Sequence, residues 1–126
     1  AYLPATNDAP ATQALGLTLV RAMIAAANAD GRLDADELQR VLGRIEEMEL
    51  SAEDKAQLMD EMRRPVGIDQ LVASSQGPEM AAEIYAAALL AIDVDTAGEE
   101  LWLRELARSL QLPDGVVQAI HQQLER

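Results

Sequence analysis

The run Asn28-Ala29-Asp30-Gly31-Arg32-Leu33-Asp34-Ala35-Asp36-Glu37 places four carboxylates around one glycine, where one helical pattern stops and another starts. Gly31 suits the left-handed residue that ends a helix. Asp34, with Glu37 three residues on, forms an aspartate version of the capping box that opens the next helix. Two helices joined by an acidic bend are therefore predicted, and the flanking sequence extends the pattern. Upstream, Leu15, Leu19 and Met23 interleave with Leu17, Val20 and Ile24 at three- and four-residue steps, from a start near Thr12. So broad an apolar face needs cover from more than one neighbour, which makes this helix central. Downstream, the second helix runs to about Met48. Ser51 with Asp54 repeats the cap and opens a third helix through Leu58, Met59 and Met62, which Arg64-Pro65 ends because the residue before proline is pushed out of helical geometry. A short fourth helix follows Asp69, through Leu71 and Val72.

A second acidic junction, Asp93-Val94-Asp95-Thr96-Ala97-Gly98-Glu99-Glu100, follows another Ala-rich run. Gly77-Pro78 supplies a breaker and a first-turn proline, and Ala81, Ile84, Tyr85, Ala88, Leu89 and Ile92 mark a largely buried fifth helix. Thr96 with Glu99 caps a sixth, through Leu101, Trp102, Leu103, Leu106 and Leu110. Pro113-Asp114 starts a seventh, through Val116, Val117, Ile120 and Leu124. The expected fold is all-α: one compact bundle of about seven helices over residues 12–126, in two pseudo-repeated halves, preceded by a flexible lead-in at 1–11 where Pro4 and Pro10 stand among small residues. Asp30 and Asp34 are four apart, as are Asp95 and Glu99.

At 126 residues the chain can bury a core without disulfides, of which it has none, lacking cysteine. Its apolar content is Ala, Leu, Ile, Val and Met, with no Phe, and small unbranched side chains favour closely packed helices. The net charge of −12 argues against nucleic acid, whose binding depends on Lys and Arg displacing counterions. Anionic membrane surfaces are disfavoured likewise, and the basic pair Arg63-Arg64 fits a helix C-terminus. Apolar runs such as Tyr85 to Ile92 stop well short of the ~20 residues a bilayer requires, so this domain is not expected to span one. Because the chain begins at Ala1, it reads as a fragment or processed product, with room upstream for a membrane-associated segment.

The acidic turns allow three kinds of chemistry. Setting Gly31 at the sixth position of an EF-hand loop puts Glu37 at the twelfth, with Asn28, Asp30, Leu33 and Asp34 at the third, fifth, eighth and ninth, but Ala26 at the first. If the two bends meet, a composite site is open to Asp30, Asp34, Glu37, Asp93, Asp95 and Glu99. Its all-oxygen donors would select a hard divalent cation, Ca²⁺, Mg²⁺ or Mn²⁺. The third reading is structural: Asp34, Glu37, Thr96 and Glu99 serve as helix caps, each worth about 1 kcal/mol. No enzyme is expected. Carboxylates in open, polar turns lack the desolvation a general acid needs, and neither a P-loop nor a dinucleotide fingerprint is present. His121, beside Gln122 and Gln123, reads as an ordinary surface residue. Met59 and Met62 with Leu58 form the candidate stripe for docking a partner helix or a second copy.

Several of these segments together carry a family resemblance: Arg21-Ala22-Met23-Ile24-Ala25-Ala26-Ala27-Asn28-Ala29-Asp30-Gly31 with Asp34 and Glu37; Arg64-Pro65; Glu83-Ile84-Tyr85-Ala86 through Leu89-Leu90-Ala91-Ile92-Asp93-Val94-Asp95; and Leu110-Gln111-Leu112-Pro113. From Thr12 to Gln123 the chain resembles the C-terminal domain of YebE-type bacterial inner-membrane proteins, a domain of unknown function similar to the tellurite-resistance TerB domain. The resemblance implies an internally duplicated helical domain with cation-binding acidic turns and a non-enzymatic role near the envelope or in stress response. It also implies a longer protein associated with the inner membrane. The second turn departs from the TerB-like pattern, with Thr96 where a glycine is expected. Two functions are carried forward from this reading, a cation-responsive module and a metal-free adaptor for a protein partner or homodimer.

Overall fold

The computed structural model describes residues 9–31, 34–94 and 96–124, with side chains from Ala14. These residues form seven α-helices: α1 (Ala9–Ala27), α2 (Ala35–Glu47), α3 (Ala52–Glu61), α4 (Ile68–Ser74), α5 (Pro78–Ala91), α6 (Ala97–Ser109) and α7 (Asp114–Leu124). Among the described residues there is no strand, as the all-α expectation required.

Local chemistry sets the helix starts. Asp34 accepts from the backbone N–H of Asp36 at 2.7 Å and of Glu37 at 3.3 Å; Ser51 Oγ accepts from Asp54 N–H at 3.1 Å, and Thr96 Oγ1 from Glu99 N–H at 3.1 Å. Each cap satisfies N–H groups that have no partner inside the helix. At the end of α1, Asn28 Nδ2 donates to the Ile24 carbonyl at 2.9 Å, and Gly31 closes the turn at φ +82°, a conformation that disfavours a Cβ. Two boundaries differ from expectation. Helix α1 begins at Ala9 rather than Thr12, because Pro10 sits in the first turn, where its missing N–H is no loss; of the expected lead-in, residues 1–8 lie outside the described residues. Helix α4 begins at Ile68, with Gly67 N–H donating to Gln70 Oε1 at 3.2 Å, so Asp69 falls inside its first turn.

The core is built on α1 against α5, the most extensively packed pair. Val20, Ala22, Ile24, Ala26 and Ala27 of α1 are buried, as are Ala81, Ile84, Ala88, Leu89 and Ala91 of α5. Alanine leaves little bulk between helix axes, so the two backbones approach closely. Around this pair, α2 contributes Val41 and Ile45, α3 Leu58, α4 Leu71, and α6 Leu103 and Leu106. Helix α7 buries no residue fully and lies on the outside of α5, with Val117, Ile120 and Leu124 against the core. Each of the two central helices is followed by an acidic turn and a capped helix. This arrangement decides where those turns go.

A carboxyl pair where the acidic turns meet

Helix α2 packs on both α1 and α5, and α6 packs on α5 and α1, so the first turns of α2 and α6 arrive at the same end of the central pair. The acidic turns converge there. Gly98, in the first turn of α6, lies so close to the α1 turn that a Cβ built on it would be 3.4 Å from the Asp30 backbone. Asp93 N–H donates to Glu37 Oε2 at 3.4 Å. From the next turn of α2, Arg40 donates to Asp93 Oδ2 at 2.9 Å and to the Ala91 carbonyl at 3.4 Å. The bends from opposite halves are thus tied by backbone and side chain.

At the centre of this seam lie two glutamates. Glu37 is 4% exposed and Glu99 1%. Their carboxyls are hydrogen-bonded to each other. An ionised carboxylate can only accept, so such a contact needs a proton on one of the two. The Glu37 carboxyl is raised from 4.5 to about 7, first by burial and then by the charge of Glu99, with Asp34 adding to the rise; the Asp93 N–H works in the opposite direction. In a full capping box each glutamate would reach back to its own cap residue. Glu37 instead turns inward, to Asp93 N–H and Glu99, so only the Asp34 half of that motif is used as expected.

The described candidate ligands come to the same seam in different roles. Glu37 and Glu99 form the buried pair. Asp93, exposed on the surface, is held by Arg40. Asp34 is exposed and engaged as a cap, Asp30 is half-buried in the turn against Gly98, and Asp95 lies outside the described residues, as does Leu33 of the EF-hand register. The first position of that register, Ala26, is a fully buried residue of α1, so this stretch is helix rather than open loop. Among the described residues no group of three or more His, Cys, Asp or Glu is placed to hold a metal ion. The residue that sequence reasoning missed is Arg40. It lies on the α2 turn after Glu37 and brings a cation of the chain's own to the seam.

Two other expectations change. His121 is not an ordinary surface residue: its Nε2 lies 2.8 Å from the Tyr85 hydroxyl and its ring packs tilted on the tyrosine at 5.7 Å between centroids. Tyr85 is buried, and burial pushes its phenol up. The proposed docking stripe does not form one surface, because Leu58 is fully buried and Met62 packs against the core, leaving Met59 47% exposed. The most exposed large apolar residue of the described chain is Leu101, at 63%, with Leu90 at 46%. These two leucines flank the second acidic turn in sequence. No helix among the described residues is long and apolar enough to cross a membrane.

The chain belongs to the DUF533 family of proteins of unknown function, whose family model matches residues 3–124. Comparison with curated proteins and with solved structures finds no match.

Proposed function

We propose that this DUF533 domain is a non-enzymatic, TerB-like helical module of a bacterial envelope-associated protein, and that it works by docking a protein partner beside the seam of its acidic turns. The observation that carries this reading is the division of labour around the second turn. Asp93 and Glu99 are engaged in building the seam, through the Asp93–Arg40 bridge and the Glu37–Glu99 pair, while Leu90 and Leu101, which flank the turn in sequence, are exposed. Exposed apolar side chains beside a rigid polar feature are the usual makings of a contact surface, with the apolar groups supplying affinity and the charged rim orientation. The envelope assignment and the TerB relation rest on the resemblance carried by the Ala-Asp-Gly and Asp-Val-Asp segments.

The test is site-specific photocrosslinking of the full-length protein in its bacterial envelope. A crosslinker at Leu101 or Leu90 is expected to give one discrete adduct, and one at Glu46, exposed on α2, none. An adduct of twice the chain's mass would identify a second copy as the partner. Identical smears from all three positions would refute docking. A melting temperature that climbs with millimolar Ca²⁺, Mg²⁺ or Mn²⁺, following RT ln(1 + [L]/Kd), would replace docking by cation sensing.

A further inference from the structure

Helices α6 and α7 both pack on α5 but touch each other little, so a cleft runs between them with α5 as its floor. Two adjoining cavities, of about 550 and about 440 Å³, fill this cleft and share Tyr85, Arg104 and Val117 in their walls. Each lies within the range of about 300–1,000 Å³ that small-molecule sites occupy. The chain's own turn holds the walls apart. Gln111 sits at φ +60°, its N–H donating to the Arg108 carbonyl at 3.0 Å, and Leu112 N–H donates to the Ala107 carbonyl at 3.0 Å. This closes α6 with a left-handed residue that is not glycine, and Pro113 follows before α7 begins, so the direction of α7 is fixed by backbone bonds.

We propose that the α6–α7 cleft binds a small aliphatic monocarboxylate, with the Arg104 guanidinium holding the carboxylate and the walls of the cleft covering the hydrocarbon. The inference does not rest on the docking reading, and it uses none of the carboxylates of the seam. The walls are Val94, Leu103, Ala107, Leu112 and Val117, over a floor at Tyr85. The Tyr85 hydroxyl is engaged by His121 Nε2 at 2.8 Å, which leaves the ring as the apolar part of that floor. An apolar cleft with few charged groups suits a ligand that is mostly hydrocarbon.

The charges at its edge define the polar end. Arg104 and Arg108 line the cleft, with Glu100 and Asp114. Arg108 is taken by Glu105 on its own helix. Arg104 makes no ion pair among the described residues, although Glu100 stands one turn before it on α6 and lines the same space. A planar guanidinium with its donors uncommitted matches a carboxylate, which can accept two parallel N–H bonds from it. Glu100 and Asp114 oppose a second negative charge, so a monoanion fits, whereas a phosphate monoester, close to doubly charged near neutral pH, is disfavoured.

Amide ¹H–¹⁵N spectra of the 126-residue chain, titrated near neutral pH with octanoate, 1-octanol and octyl phosphate, test the assignment. Saturable shifts are expected at Tyr85, Leu103, Arg104, Val117 and His121. Octanoate should bind about tenfold or more tightly than octanol, the margin that a hydrogen bond to a charged group supplies. In Arg104→Gln, a change to an exposed side chain, octanoate should fall to the affinity of octanol while octanol itself is unaffected. No saturable shift, shifts centred outside the cleft, equal affinities for octanoate and octanol, or an octanoate affinity untouched by Arg104→Gln would each overturn the proposal. Tighter binding of octyl phosphate would overturn the choice of a carboxylate. Tighter binding of a capped peptide ending in leucine would overturn the choice of a small molecule and give the cleft to a protein C-terminus.

Discussion

Replacing Glu37 by glutamine should stabilise the domain above neutral pH while leaving it little changed near pH 4.5, the reverse of what loss of a buried charge-paired residue would do. Glutamine keeps the volume, offers its carbonyl to the Asp93 N–H and donates an N–H to Glu99, so every bond of the seam survives without the titrating group. The magnitude follows from the displacement of the carboxyl from 4.5 to about 7. At about 1.4 kcal/mol per pH unit this amounts to about 3 kcal/mol for a fully shielded group. The seam borders solvent through the exposed Asp34 and Asp93, where water screens charge, and roughly half of that is expected. The folded state binds this proton more tightly than the unfolded chain. Its contribution is therefore complete below pH 4.5, declines as pH rises, and is gone above about 7. Urea unfolding followed by helical circular dichroism at about pH 5 and about pH 8 reads the difference directly, provided the slope with denaturant is unchanged between variants. A glutamine variant less stable than wild type at the higher pH, or one whose stability runs parallel to wild type at both, would refute the shared-proton reasoning.

The packing of α3 gives a second expectation: Leu58→Ala should cost about 2–5 kcal/mol, because the side chain is fully buried, whereas Met59→Ala beside it should fall within about 0.5 kcal/mol of wild type. Thermal melts of the two variants check this, and equal losses would mean that both residues share a face. At the first turn, Gly31→Ala should destabilise by about 1–2 kcal/mol although nothing lies within 4 Å of the added methyl, since the strain comes from φ +82° alone. An unchanged melting temperature would show that the turn relaxes to another conformation.

What the sequence revealed and what it concealed divide along the distance over which the chemistry acts. Asp34, Ser51 and Thr96 are legible as caps because a cap is settled within three residues. The central place of α1 and α5 is legible in their alanines. The inward turn of Glu37 is not, for its partners Asp93 and Glu99 lie on the other half of the chain, and the capping-box pattern offered a sufficient local account of the same residue. Arg40 was hidden for a similar reason: its role exists only once Asp93 is brought to it. Other misreadings had local signals. Leu58 and Met62 are one helical turn apart and share the core-facing side, with Met59 rotated away from it, so the three do not form one stripe. His121 lies four residues after Val117 and three before Leu124, both of which pack on the core, which places it on the inner face of α7 beside Tyr85.

The claim on which the rest stands is that bends from opposite halves meet and hold one proton between Glu37 and Glu99. The side-chain carboxyl of Glu37, followed by ¹³C chemical shift through a pH titration of the wild-type domain, reports on that proton without any substitution. The account expects its transition near 7; a transition near 4.5 would contradict it.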